Sequence, residues 1–442
     1  MKIQLSEHFT YKKIFRFVLP AIFMMIITSI YGVIDGYFIS NYVGETEFAS
    51  INFIYPFIMI LGGTGFMIGT GGTALVSKTL GEGDEKRANE LFSMMILFAI
   101  ILGVILTVSG ILLIRPICRL LKATEAMTEH CVLYGTIVIS FTTFFMMQGI
   151  FHSFLSAAEK PRMGLVVTII AGVTNALLDA LFIVVFNWKL AGAAIATGLG
   201  QVVGGLVPFI YFCRPNDSKL RFKLTKLEFS PIIKACANGS SELLSNVSSS
   251  IVSMLYNAQL MNFYGEQGVS AYGVLMYVQF VFLAIEIGYS IGTAPIIAYN
   301  YGAQNIYELK SVFRKSVITM SVCGICLTGL AEALSVPLSY IFVRHNKELY
   351  DLTVYAFRLF SFAFLFSGIN IFSSSFFTAL NNGLVSAILS FLRALIFQTA
   401  FVFLLPMLLG KEGIWFASLA TELFAFITSV LFLIFMRKKY KY

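Results

Sequence analysis

The chain has 442 residues, 58% of them hydrophobic and 12% charged, with a mean hydropathy of +0.83 and a formal net charge of +8. A soluble domain carries roughly 25% charged and about 45–50% apolar residues, and 44 Phe with 17 Met exceed what one aqueous core of this length hides. An ordinary soluble domain is excluded, and the placement of the positive charge points to a membrane surface rather than to nucleic acid.

Met1–Lys13 is polar and basic. The apolar run behind it, from Ile14 to about Ile39, is too long for a signal-peptide core and lacks a small-residue cleavage site, so it reads as a first spanning helix. About 20 apolar residues cross the hydrocarbon, and on that scale the chain divides into twelve spans: 14–40, 50–77, 92–114, 132–157, 163–186, 191–212, 232–262, 268–298, 316–343, 353–379, 384–409 and 413–436. Span one carries Pro20, which frees a backbone carbonyl and predicts a kink, and Asp35 towards its outer end. Span two holds Gly62-Gly63-Thr64-Gly65 through Gly69-Thr70-Gly71-Gly72-Thr73. That stretch lacks the GxxxxGK[ST] spacing and the preceding strand of a phosphate loop, and reads as close helix packing. Cys118 and Cys131 flank one loop, where a disulfide is open to them. His152 in span four either joins the Asp35 cluster or is a satisfied core histidine. Asn175 and Asp179 lie four apart in span five, on one helical face. The second half carries Glu242, Glu286, Glu332 and Glu422 within spans, together with Arg358 and Arg393. Cys323 and Cys326 form a CxxC inside an apolar run with no second Cys or His pair, which does not suit redox or metal chemistry.

Charge asymmetry gives the orientation. The N-terminus, alternate loops and C-terminus hold 22 Lys and Arg, among them Lys2, while the opposite side holds seven: Arg115, Arg119, Lys122, Lys189, Arg344, Lys347 and Lys411. Both termini are therefore expected in the cytoplasm, which requires an even number of spans.

A shift of 221 residues superimposes the two halves in four places. Asn41-x-x-Gly44-Glu45 meets Asn262-x-x-Gly265-Glu266, and Gly81 meets Gly302. Phe151-x-Ser153 with Ala158 meets Phe372-x-Ser374 with Ala379, and Gly192-x-x-x-Ala196-Thr197 meets Gly413-x-x-x-Ala417-Ser418. Six spans per half make the repeats parallel. The expected fold is an all-α polytopic membrane protein of two six-helix lobes: an N-terminal lobe at 1–213, a basic cytoplasmic linker at 214–230 and a C-terminal lobe at 231–442.

Charge inside a bilayer costs several kcal/mol, so an intramembrane acid is a functional candidate. Asp35 and Asp179, with the amide of Asn175 and a hydroxyl such as Thr197, offer oxygen ligands for a proton or a hard cation. At the 221-residue offset, Asp35 meets Tyr256, Asn175 meets Ile396 and Asp179 meets Ala400, so the polar set occurs in one half only. A carboxylate in an aromatic cavity attracts a cationic substrate by charge and cation–π attraction. Glu286, Glu242 and Gln201 (opposite Glu422 in the repeat) are the candidates for that contact, with structural pairing to Arg358 or Arg393 as the alternative for the acids.

These motifs resemble the multidrug and toxic compound extrusion (MATE) family over essentially the whole chain. The resemblance rests on Asp35-Gly36-x6-Val43-Gly44, on Ser77-Lys78-Thr79-Leu80-Gly81, and on Pro295 followed by Asn300-Tyr301-Gly302-Ala303, the last as in the bacterial branch of MepA-like and DinF-like pumps. It implies a helix-one Asp fifteen residues after a Pro, as Pro20 and Asp35 stand here, and an N-lobe cation site at Asp35, Asn175, Asp179 and Thr197 with Tyr31 and Tyr134 as hydrogen-bonding partners. It further implies a secondary antiporter of the cell membrane, exporting organic cations or amphipathic drugs against inward H⁺ or Na⁺ by alternating access. No cofactor is expected beyond that ion, no nucleic acid partner, and a monomer. The rival within the wider superfamily is a flippase for lipid-linked precursors or other amphiphiles, which calls for a cationic cavity. A channel needs no paired acids, and no nucleophile–base pair or metal set suggests an enzyme.

Overall fold

A computed structural model of the chain describes residues 3–121, 123–344 and 346–442, with backbone alone at 40, 41, 45, 46 and 48. Lys2 and Lys122, and the side chains of Asn41 and Glu45, therefore lie outside the described residues. The chain is helical almost throughout: α1 Tyr11–Tyr42, α2 Glu45–Gly81, α3 Glu85–Leu120, α4 Glu125–Ser140, α5 Thr142–Ala157, α6 Pro161–Asp179, α7 Lys189–Cys213, α8 Phe229–Gly302, α9 Ile306–Val343, α10 Lys347–Ser361, α11 Phe364–Ala379, α12 Gly383–Phe391, α13 Gln398–Leu409 and α14 Gly413–Tyr440. A π-helical segment, Ala180–Val185, extends α6, and another, Leu392–Phe397, joins α12 to α13.

Several starts are capped by side chains, as orphan first-turn N–H groups require. Asp84 accepts from Arg87 N and Asn305 from Glu308 N, at positions 221 residues apart. The 74 residues of α8 would extend roughly 110 Å at 1.5 Å per residue, far beyond the ~30 Å hydrocarbon. The helix is in fact broken at Gly265, whose φ of 63° and ψ of −151° suit only glycine. Gly410, at φ 68° and ψ −161°, breaks the other long apolar stretch, Gly383–Tyr440. Two further spans are bent pairs, α4 with α5 at 56° and α10 with α11 at 46°. Counting each bent pair once and dividing the two long stretches at Gly265 and Gly410 gives twelve apolar spans among the described residues.

The same offset governs the geometry. The bends fall at Phe141 and Phe362, the left-handed residues at Gly83 and Gln304 and at Lys189 and Gly410, and the inter-span glycines at Gly44 and Gly265. Two six-helix lobes related by a parallel repeat result. Spans four and ten each read as one apolar run, and no Pro or Gly stands at Phe141 or Phe362 to mark the bend. In the first lobe the ring of Phe141 lies where α7 has Gly198, too close for any side chain there. Between the lobes, Arg214–Glu228 is non-helical and runs along α3: Arg221 N donates to Asn89 and Lys223 N to Ser93. Arg87 grips Glu228 with two bonds of 2.8 and 2.6 Å and holds that carboxyl below its ordinary range.

The buried core divides by depth. On the side away from the termini, one cluster holds only first-lobe residues (Ile39, Ile54, Tyr134, Ala194) and another only second-lobe residues (Tyr256, Phe364, Trp415). Cys118 and Cys131 are buried free thiols in the former. On the termini side the cores are shared: Leu5, Phe9, Phe17, Val18 and Ile22 pack among Tyr289, Ile296, Val312 and Phe376. The lobes thus share their buried core at the termini face and keep separate cores at the other. Two backbone crossings make the seal. A Cβ on Gly71 would lie 1.9 Å from Ala235 O and one on Gly239 1.9 Å from Met67 O. Likewise Gly81 faces Tyr299 O and Gly302 faces Lys78 O, each at 2.0 Å, about the repeat axis.

Gly81→Leu should therefore push the lobes apart by roughly 2 Å or more at this face, towards ordinary helix spacing. Spin labels at positions 85 and 310 would report the widening, and an unchanged distance distribution would contradict the seal.

Candidate functional site

The first-lobe site is assembled by three helices. α1 carries Asp35, half-buried, one turn beyond Tyr31. α7 brings Thr197, whose hydroxyl donates to Asp35 Oδ1 at 3.3 Å. α6 presents Asn175 and Asp179 on its face towards Asp35, 3% and 0% exposed. Small residues allow the approach: Gly172 of α6 leaves room for the Tyr31 ring, and Gly200 of α7 for Asn175. Asp179 ends the regular part of α6, and the π-helical segment begins immediately after it. Such wide turns recur at functional positions.

What distinguishes the site is its unmet valence. Among the described residues, neither oxygen of Asp179 nor either amide atom of Asn175 has a hydrogen-bond partner, and no Lys or Arg pairs with Asp35 or Asp179. Buried polar groups left this way cost several kcal/mol in an apolar medium. Two carboxyls, a carboxamide and a hydroxyl offer hard oxygen to a proton or an alkali cation and nothing to a soft metal. Among the described residues, no group of three His, Cys, Asp or Glu is arranged for a metal ion.

The other expected residues fall as follows. Tyr134 is buried in the same lobe with its side chain near Asp35 and Thr197. His152 is buried against Phe66, with ring centroids 6.0 Å apart, and both its nitrogens lack partners, so no hydrogen bond joins it to Asp35. Pro20 is buried on the inner half of α1. Gln201 is buried with its Oε1 unpartnered. Tyr55 and Gln148 complete the neighbourhood, beside Asp35 and Tyr31 respectively. Neither was singled out from sequence, although an amide inside the apolar run Phe144–Ile150 was a usable signal.

In the second lobe the equivalent space is filled. Tyr256, opposite Asp35 in the repeat, is fully buried, stacks on Tyr272 at 4.4 Å and donates to Ile414 O. The acids lie elsewhere in that lobe. Glu286 is 0% exposed, accepts from Ser367 at 2.8 Å and sits against Gly368 and Met320, inside the lobe. Glu422 is held by Arg393 at 2.7–3.0 Å and by Asn370 at 2.7 Å. Glu332 accepts from Ser361, with Arg358 at 4.0 Å. Glu242, half-buried, adjoins Leu243, which meets Gly63 at the lobe boundary.

The MatE family matches twice, over residues 20–181 and 243–404, once in each lobe. The chain belongs to that family. It is a multi-pass membrane transporter of the MepA-like type, not an enzyme. The multidrug export protein MepA of Staphylococcus haemolyticus (strain JCSC1435) is 27% identical over 335 residues, covering 74% of this chain and 73% of that protein. MepA of Staphylococcus saprophyticus is 24% identical over 435 residues, covering 97% and 94%. An outward-facing structure of a multidrug resistance MATE transporter of the MOP superfamily superimposes with a TM-score of 0.91 at 20% identity, over 99% of this chain and 98% of that one, and so shares the fold.

The Arg393–Glu422 pair has side chains only 21% and 12% exposed. Breaking such a pair from one side costs about 3–5 kcal/mol, whereas replacing both by apolar residues is close to neutral. Arg393→Met should accordingly lower the thermal unfolding midpoint of the purified protein sharply, and Arg393→Met with Glu422→Met should recover most of the loss.

Proposed function

We propose that the protein is a secondary antiporter that exports organic cations and other amphipathic compounds in exchange for H⁺ or Na⁺ moving inward. The observation that carries the reading is the fully buried Asp179, whose oxygens have no hydrogen-bond partner among the described residues, beside the half-buried Asp35 on the side where the two lobes keep separate cores. The staphylococcal relatives are named multidrug export proteins, which supports drug-like cargo. The excess of basic residues on the termini face supports cytoplasmic termini in the cell membrane. A single chain supplies both lobes, which supports a monomer.

α1 is the element that couples ion to cargo. Its outer half lies in the first lobe, with Tyr31 against Gly172. Its inner half also packs on the second, with Val18 against Gly292 and with Ala21 and Ile22 against Gly288. Pro20 stands between them and cannot donate to the carbonyl of Arg16, so bending there is easier than elsewhere. An ion from outside reaches Asp35 first and is shared with Asp179, cancelling their mutual repulsion. The altered packing of the outer half passes along α1 to the shared core on the termini side, and the lobes separate there. Ion and cargo are coupled because each favours a different one of these two arrangements.

Ethidium efflux from cells, with H⁺ and Na⁺ gradients imposed separately, tests the reading. Wild type should respond to one gradient, and Asp35→Asn or Asp179→Asn at matched abundance should lose at least about tenfold of that efflux, the order expected when one protonatable or ion-binding group is removed. Gradient-driven efflux surviving both substitutions would sink the site. No gradient-driven efflux in wild type would sink cationic drugs as the cargo and bring the flippase forward.

A further inference from the structure

A cavity with basic residues at its rim lies away from the Asp35 site and takes no part in the scheme above. It has a volume of about 270 Å³ and opens on the termini face between the first turns of α1 and α6, lined by Ile3, Arg16, Phe17, Glu159, Lys160 and Arg162 among others. Glu159 is occupied by the Leu5 N–H at 2.9 Å, and Lys160 by Asp217 at 2.5 Å. Arg16 and Arg162 are both exposed, and nothing among the described residues pairs with either guanidinium. The cavity thus keeps two planar, permanently charged forks free beside an apolar wall, the geometry that suits a phosphate.

Each arginine also heads an apolar stripe. Leu19 and Phe23 follow Arg16 along one face of α1, and Val166, Ile170 and Val173 follow Arg162 along α6, all of them exposed. In a bilayer these stripes face acyl chains, which favours a phosphate that arrives attached to lipid over one free in solution. Architecture alone does not demand the cavity. At the repeat offset Arg16 becomes Ala237, Lys160 becomes Asn381 and Arg162 becomes Gly383. There the gap is shut, since a Cβ on Gly383 would stand 2.3 Å from the Asn238 backbone.

We propose that this cavity is a headgroup site for an anionic phospholipid of the leaflet on the termini side. Its phosphate is held by Arg16 and Arg162, and its chains lie along the two stripes. The lipid would tie α1 to α6 at Arg16, the residue whose carbonyl Pro20 leaves free. The proposal needs the chain to sit in a membrane and does not depend on antiport.

The test is native mass spectrometry of the full-length protein released from detergent with phosphatidylglycerol or phosphatidylcholine added. Wild type should retain phosphatidylglycerol preferentially. Arg16→Ala with Arg162→Ala should cut that retention by about thirtyfold, as expected for two basic contacts at a membrane surface, with phosphatidylcholine unaffected. Lys438→Ala with Lys439→Ala removes the same charge on the same face and should change little. Equal losses in both variants would mean diffuse surface attraction and overturn the site, as would full retention in the arginine variant. Displacement of phosphatidylglycerol from wild type by excess inorganic phosphate would make free phosphate the occupant and overturn the lipid assignment. Arg162→Gln alone serves if the double variant is not recovered folded.

Discussion

In hydrocarbon every backbone N–H and C=O must find its partner within the chain, and that requirement shapes this protein from end to end. It explains a molecule that is helical almost throughout, helices that run 36–38 residues in α3 and α9, and chain reversals left to glycine at 265 and 410. It also explains why side-chain chemistry is so legible here. Once the backbone is satisfied by the helix, any polar side chain in a span stands out against an apolar ground, and its neighbours must answer for it.

The two lobes answer differently although they share a frame. In the second, among the described residues, Arg393 and Asn370 answer Glu422, Ser361 answers Glu332, and Ser367 answers one oxygen of Glu286. In the first, Asp179 and Asn175 have none among the described residues. The repeat makes that contrast informative, because bends, caps and reversals fall at matching positions in both lobes. Tyr256 and Tyr272 occupy the room that Asp35 and its neighbours have in the other lobe.

Closure and chemistry are separated along α1. The termini side is closed by backbone against backbone at Gly71, Gly239, Gly81 and Gly302, with no side chain between. Contacts of that kind are close and dry, and two lobes held so are either in register or apart. Asp35 lies at the far end of the same helix, fifteen residues from Pro20, with Asp179 presented to it from α6, so neither carboxylate touches the seal.

Much of this was legible in the sequence. Twelve spans, the 221-residue offset and the intramembrane acids follow from apolar run length and from charges that lipid does not tolerate, both local properties of the chain. So did the shared face of Asn175 and Asp179, which lie four residues apart on one helix, while their meeting with Asp35 was implied by the family resemblance. Only the tertiary structure decided which acids are answered. That Glu422 meets Arg393, 29 residues away, while Asp179 meets Asp35, 144 away, and no base among the described residues, depends on which faces of separate helices turn towards each other. The bends at Phe141 and Phe362, the filled space around Tyr256 and the side on which the lobes close are likewise outcomes of packing between helices, which run length and periodicity do not encode.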